Sequence, residues 1–119
     1  GSTHAQRERT MQDFYRQHLK TRLVSLIEKW EGIMGVKVQE WGIKRMKTKW
    51  GTCSIEARRI WLNLELAKKP LNCLEYVVVH ELTHFQERHH NDRFVAYLGQ
   101  YLPNWRAVRE ELNRGVLGV

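Results

Sequence analysis

The stretch of sequence that decides the fold is LNCLEYVVVHELTH, residues 71–84. Asn72 precedes Glu75 by three residues, which is the spacing of a helix N-cap and its capping box. The residues between Cys73 and Val79 are mostly apolar on every side, as in a helix buried at the centre of a domain. The β-branched run within them also suits a buried strand, but the cap favours a helix. We therefore predict a central helix that begins at Asn72 and reaches His84.

This helix carries His80-Glu81-Leu82-Thr83-His84, an HExxH pattern. Side chains at positions i and i+4 share one helix face, about 5–6 Å apart at Cβ, so the two imidazoles can hold one Zn²⁺ ion. Glu81 lies about 100° round the helix, where its carboxylate can face a water molecule that the metal activates. The pattern predicts a hydrolase in which His80 and His84 are metal ligands and Glu81 is the general base.

A catalytic zinc usually takes three protein ligands, and the sequence offers several candidates for the third. We favour His90, because its distance from His84 matches the spacing of metzincin ligands. The polar segment Arg88–Asn91 would end the helix and let the chain turn back. The alternatives are His89, Glu87, Glu110 and Glu111.

Composition indicates one domain of 119 residues with a net charge of +7. Residues 1–10 are polar and are expected to form a disordered or expression-tag-derived tail, leaving residues 11–119 as the domain. No apolar run approaches the roughly 18 residues of a membrane span, so a cytoplasmic location is expected. Cys53 and Cys73 are expected to be reduced thiols. The positive charge suggests anionic partners.

The remaining patterns predict an α+β domain. Apolar spacing indicates a helix from Met11 to Trp30, including Phe14, that is ended by Gly32 and Gly35. Two short strand pieces are predicted at Val36–Val38 and Trp41–Ile43, with a bulge or turn between them near Glu40 and Gly42. Further strands are predicted at Trp50–Ile55 and Arg59–Leu64, with a turn at Glu56–Arg58. Two further helices are predicted, one capped by Asn91 or Asp92 and ended by Pro103, the other running from Asn104 to Gly115.

Four separated segments together resemble the YgjP-like branch of small zincin metallopeptidases, which are related in outline to SprT-like enzymes. They are Lys49–Ser54 (KWGTCS), Arg59–Asn63 (RIWLN), Tyr76–His84 (YVVVHELTH), and His90 with Phe94. The resemblance implies a minimal zincin fold with an N-terminal helix, a small twisted and mostly antiparallel sheet, the HExxH helix and C-terminal helices. It also implies His90 as third ligand, although His89 replaces the family's Asn in that segment.

The expected activity is zinc-dependent hydrolysis of a peptide or protein. Three imidazoles also accept Ni²⁺, Co²⁺ or Cu²⁺. Strand Trp50–Ser54 or Arg59–Leu64 could pair with an extended peptide, and Tyr97 or Tyr101 could stabilise an oxyanion. Because some family members are assigned to UTP pyrophosphohydrolysis, a nucleotide substrate is the alternative.

A nucleic-acid-associated protease or binding module is a third possibility. It would use a basic hairpin formed by Lys44–Lys49 together with Arg58 and Arg59.

Overall fold

The computed structural model describes residues 3–114 and has the predicted α+β architecture. The chain runs through helix α1 (His4–Met34), strands β1 (Glu40–Lys44), β2 (Gly51–Ser54) and β3 (Arg59–Asn63), a 3₁₀ helix (Leu64–Lys68), and helices α2 (Leu71–Thr83), α3 (Asp92–Tyr101) and α4 (Trp105–Asn113). No helix among the described residues is long and apolar enough to cross a bilayer.

Helix α1 is longer at both ends than its apolar pattern predicted. Thr3 caps it, since the Gln6 amide donates to Thr3 Oγ1 and the Gln6 side chain accepts from the Thr3 amide. Residues 4–10 are therefore helical, and the expected disordered tail is wrong for them. The helix runs on through Gly32 to end at Gly35, whose φ of 68° is a left-handed conformation that suits glycine.

The buried face of α1 follows the predicted stripe from Leu19 to Trp30. Phe14 departs from it, because 67% of its surface is exposed. The N-terminal part of the helix extends beyond the core, so helical spacing there does not mean burial.

The sheet has the order β1-β3-β2 and is mixed. β1 pairs with β3 in parallel, and β2 pairs with β3 antiparallel. The prediction of a mostly antiparallel sheet needs this correction. Segment Lys44–Lys49 is likewise not a hairpin, since β3 lies between the two strands that it joins. The predicted Val36–Val38 strand is irregular, and the first strand begins at Glu40.

The turn between β2 and β3 includes the predicted residues Glu56–Arg58 and also Ile55, which was expected in the strand. Arg58 has a φ of 52°. This is the position where a tight turn would favour glycine.

Asn63, at the end of β3, organises the segment that leads into β2. Its side chain is fully buried. Its amide nitrogen donates to the carbonyls of Met46 (2.9 Å) and Lys49 (2.8 Å), and its oxygen accepts from the Glu65 amide (3.0 Å). One buried amide therefore fixes both the crossover from β1 and the start of the 3₁₀ helix.

Helix α2 is the centre of the domain and packs against α1, α3, α4 and the sheet. Its buried residues are Cys73, Leu74, Tyr76, Val77, Val78, Val79, Glu81, Leu82 and Thr83. Its predicted N-cap is wrong, because the cap position is Pro70 and Asn72 lies exposed in the first turn.

Glu75, the predicted capping-box partner, instead accepts hydrogen bonds from Lys29 Nζ and Trp30 Nε1, both at 2.8 Å. Desolvation acts to raise the pKa of Glu75, and these two donors outweigh it, so the net shift is downward.

The last two helices begin close to the predicted positions. Asn91 caps α3, and its side chain accepts from the Phe94 amide at 3.0 Å. Asn104 precedes α4 without a side-chain cap bond. The predicted helix end at Gly115 lies outside the described residues.

Candidate metal centre

His80 and His84 lie on one face of α2 where that helix ends. His84 is the C-terminal cap, and its φ of −63° and ψ of −22° continue the helical conformation. The i, i+4 relation therefore holds for both histidines, and their ring centroids are 5.2 Å apart. Beyond His84 the chain forms hydrogen-bonded turns up to Glu87 and leaves the helix axis.

This turn brings His90 back to the pair. The His90 Nε2 atom lies 3.0 Å from His84 Nε2, and the His90 ring centroid is 5.1 Å from that of His80. One ring nitrogen from each of the three histidines falls within a common span of 4.8 Å.

Phe94 packs against all three imidazoles. It is almost fully buried, and its ring centroid lies 4.7–5.1 Å from all three histidine rings. Asn91 caps α3 by accepting from the Phe94 amide, so one hydrogen bond fixes both the start of α3 and the backbone position of Phe94.

Two features favour neutral imidazoles with available lone pairs. The His84 Nδ1 atom lies 3.0 Å from the Arg88 carbonyl. A proton on Nδ1 satisfies that carbonyl and leaves Nε2 free as a ligand atom. Burial, followed by the neighbouring His80 and His84, lowers the pKa of His90.

The geometry fits a single small cation. Two imidazole nitrogens on one tetrahedral zinc are roughly 3.3 Å apart, given Zn–N distances of about 2.0–2.1 Å. The 3.0 Å approach of His84 to His90 is close to that value. The donor set also suits zinc, since neutral nitrogen ligands bind borderline-soft divalent metals.

Glu81 lies beside these histidines and is 6% exposed. Its Oε2 atom is 3.3 Å from His80 Nδ1. Strand β2 reaches this carboxylate at Gly51. A Cβ atom at position 51 would lie 3.1 Å from Glu81 Cγ and 3.2 Å from Glu81 Oε2. The glycine thus permits the close approach of the strand to the HExxH helix.

The three histidines and Glu81 line a cavity of about 740 Å³. Strand β2 forms one wall, and α3 and α4 form another. The cavity has the size expected of a ligand or substrate cleft.

A family model described as "YgjP-like, metallopeptidase domain" matches residues 1–115. The chain belongs to the YgjP-like metallopeptidase domain family. No curated protein matches it significantly.

Among solved structures, the YgjP-like chain is similar to two archaeal metallopeptidase zymogens. Abylysin of Pyrococcus abyssi has a TM-score of 0.69 at 18% identity, with 76% of this chain and 90% of abylysin covered. Jannalysin of Methanocaldococcus jannaschii has a TM-score of 0.66 at 20% identity, with 76% of this chain and 92% of jannalysin covered. These similarities concern the fold.

The other candidates for a third ligand are not part of the histidine group. The Glu87 carboxylate accepts from Asn91 Nδ2 at 2.9 Å, and Glu111 accepts from Cys73 Sγ at 3.4 Å. His89 and Glu110 are exposed and do not line the cavity. Of the residues considered from sequence, the structure brings only His90 to His80 and His84.

The predicted oxyanion donors lie outside the cavity of this YgjP-like domain. Tyr101 Oη donates to Gln86 Oε1 at 2.7 Å, and Tyr97 stacks on Tyr101. The cavity instead contains Tyr76, whose ring centroid is 5.8 Å from that of His80. Sequence reasoning treated Tyr76 as a core residue, because it lies in the apolar half of α2.

Cys53 also lines the cavity and was expected to be simply a reduced thiol. Both cysteines are free. Burial, and then the nearby Glu81, raises the pKa of Cys53 to about 12. The Cys53 thiol is therefore protonated at neutral pH.

Proposed function

We propose that this YgjP-like chain is a zinc-dependent peptidase in which His80, His84 and His90 hold the ion and Glu81 is the general base. The observation that carries the proposal is the convergence of three imidazole nitrogens within 4.8 Å in an open cavity. Three protein ligands leave one position of a tetrahedral zinc for the reacting groups.

When bound, zinc supplies a Lewis acid that activates water and polarises the scissile carbonyl. Glu81 accepts the proton of the attacking water and delivers it to the leaving amine. Glu81 is almost fully buried and lies against β2 at Gly51, which limits the movement of its carboxylate. Phe94 packs against all three rings and keeps that side of the site apolar.

Strand β2 is the part of the sheet that suits a peptide substrate. β3 is paired on both sides, so the Arg59–Leu64 segment has no free edge for a peptide to join. β2 is an edge strand of the described sheet, and its residues Gly51, Thr52 and Cys53 line the cavity. An extended peptide can add to this edge through backbone hydrogen bonds and so cross the histidine group.

The decisive experiment compares a labelled unfolded protein and UTP as substrates of the zinc-loaded protein. We expect cleavage of the protein substrate. Glu81→Gln should reduce turnover by about 10²–10⁴-fold, the usual contribution of a general base, while one zinc per chain is retained. Glu110→Gln is the matched control, because Glu110 is exposed and outside the cavity.

Wild-type turnover by Glu81→Gln would refute the role of Glu81. Hydrolysis of UTP without cleavage of any protein or peptide would refute the peptidase proposal in favour of nucleotide hydrolysis. Among the described residues, no acidic cluster for a Mg²⁺–triphosphate accompanies the histidine group.

A further inference from the structure

The charged side chains lining the cavity are unequal in sign. Besides the histidines, the charged residues of its described lining are Lys49, Arg88, Arg109 and the single carboxylate of Glu81. If Glu81 is committed to proton transfer, the cavity presents mainly positive charge to a substrate.

The positive charges are also unequally distributed along β2. Near the end of the strand, the Arg88 guanidinium lies 2.8 Å from Glu56 Oε1, so its charge is largely neutralised. Lys49, which precedes the start of the strand, and Arg109 have no ion-pair partner within residues 3–114. The free positive charge therefore belongs to the region where β2 begins.

Helix α4 is anchored at that same place. The Trp50 Nε1 atom donates to Asn113 Oδ1 at 2.9 Å. Asn113 lies one helical turn after Arg109, so both project from one face of α4. Glu110 and Glu111 are on the same helix but do not line the cavity.

Arg109 lines the same cavity as the three histidines. Tyr76 also lines this cavity, and while burial raises the pKa of its phenol, the positive charge of Arg109 opposes that shift. Tyr76 in turn neighbours His80. A group bound by Arg109 would therefore lie within a short peptide's length of the proposed metal.

We propose that the cleft selects peptides whose acidic side chain lies in the part of the cavity next to the start of β2. Lys49 and Arg109 determine this specificity. The inference rests on the proposed peptidase function and adds a substrate class to it. An aspartate or glutamate there gains two cationic neighbours, and guanidinium groups suit carboxylates through paired hydrogen bonds. A lysine at the same position meets two like charges.

The first test measures binding without turnover. Zinc-loaded Glu81→Gln protein is titrated with fluorescent peptides that differ only by Glu, Gln or Lys at one scanned position, with anisotropy as readout. We expect the best Glu peptide to bind about fivefold more tightly than its Gln counterpart, the upper range for a partly exposed ion pair. The preference should weaken with salt.

Arg109→Gln in this background should reduce the preference to about twofold, and the double change with Lys49→Gln should abolish it. Arg106→Gln is the matched control. The Arg106 guanidinium stacks on Trp105 at 4.4 Å, as Arg109 does at 6.0 Å, but Arg106 does not line the cavity. It should keep the full preference.

The second test repeats the comparison as kcat/KM with wild-type protein. Cleavage of Glu, Gln and Lys peptides at equal rates would overturn the specificity inference and leave the peptidase proposal intact. A charge preference unchanged in the double variant would overturn the roles of Lys49 and Arg109. Failure to cleave any peptide, with UTP hydrolysed instead, would overturn the peptidase proposal itself.

Discussion

Replacement of Gly51 by alanine tests whether the contact between β2 and α2 sets the position of Glu81. The added Cβ would lie 3.0 Å from Val77 Cγ1, 3.1 Å from Glu81 Cγ and 3.2 Å from Glu81 Oε2. Favourable carbon contacts lie at about 3.5–4.0 Å. The strand, or the Val77 and Glu81 side chains, must therefore move by roughly 0.3–0.5 Å to relieve these contacts.

Two opposing terms decide the stability of Gly51→Ala. Overpacking a tight contact costs about 1–3 kcal/mol, and replacing glycine restricts the unfolded chain, which returns about 0.4–1 kcal/mol. We expect a net loss of about 1 kcal/mol in the free energy of unfolding. The loss of turnover should be easier to detect than the loss of stability. A 1 Å misplacement of a catalytic group costs about 100-fold, so half that displacement should lower kcat about tenfold.

The assay combines urea unfolding, zinc stoichiometry and steady-state kinetics on one peptide. We expect lower kcat, a nearly unchanged KM and full zinc content, because the histidines are not displaced. Gly32→Ala is the matched control. It lies inside α1 with open space around its Cβ position, so the alanine should stabilise the protein by about 0.5–1 kcal/mol. Wild-type kcat and stability in Gly51→Ala would refute the argument that this glycine sets the position of Glu81.

Three further predictions concern separate parts of the molecule. His90→Ala should weaken zinc affinity by more than about 100-fold, since even outer-shell losses cost 10–100-fold, whereas His89→Ala should stay near wild type; equal losses in a zinc competition assay would contradict this. Asn63→Ala should cost about 2–4 kcal/mol in urea unfolding, because it removes three hydrogen bonds, while exposed Asn72→Ala should change stability by less than about 0.5 kcal/mol. The folded-state pKa of Glu75 is below its ordinary 4.5, so its stabilisation is complete above that pH and is lost as pH falls through the folded value; the stability difference from Glu75→Gln should therefore shrink on acidification, and a constant difference would refute the ion-pair account.

The parts of the site that depend on local geometry could be predicted from sequence. On any helix, residues with the spacing of His80 and His84 share one face, with Glu81 beside them. Their relative positions therefore depended only on α2 being a helix. Strand β3 was also predictable, because Ile60 and Leu62 alternate with more exposed positions, as in a strand with one buried face.

The predictions that failed depend on contacts distant in sequence. Glu75 has the spacing of a capping box, yet its carboxylate binds Lys29 and Trp30 from α1. A carboxylate near a helix start can satisfy either set of donors, and tertiary packing decides between them. Similarly, nothing local to β1 specifies that it pairs with β3 in parallel instead of forming a hairpin with β2. The anchoring of the crossover by Asn63 becomes apparent only when the partners of that buried amide are known.

The placement of His90 lies between these two cases. Its distance from His84 along the chain allows many arrangements, and the turn after His84 has no helix-ending glycine. The constraint comes from the next element, because Asn91 caps α3 through the Phe94 amide and so fixes the backbone immediately after His90. Phe94 then packs against all three imidazoles. The signal was present in the sequence as an Asn followed three residues later by an aromatic residue. A cap residue adjacent to a candidate ligand is therefore informative, since it converts a flexible return segment into a defined position for the third imidazole.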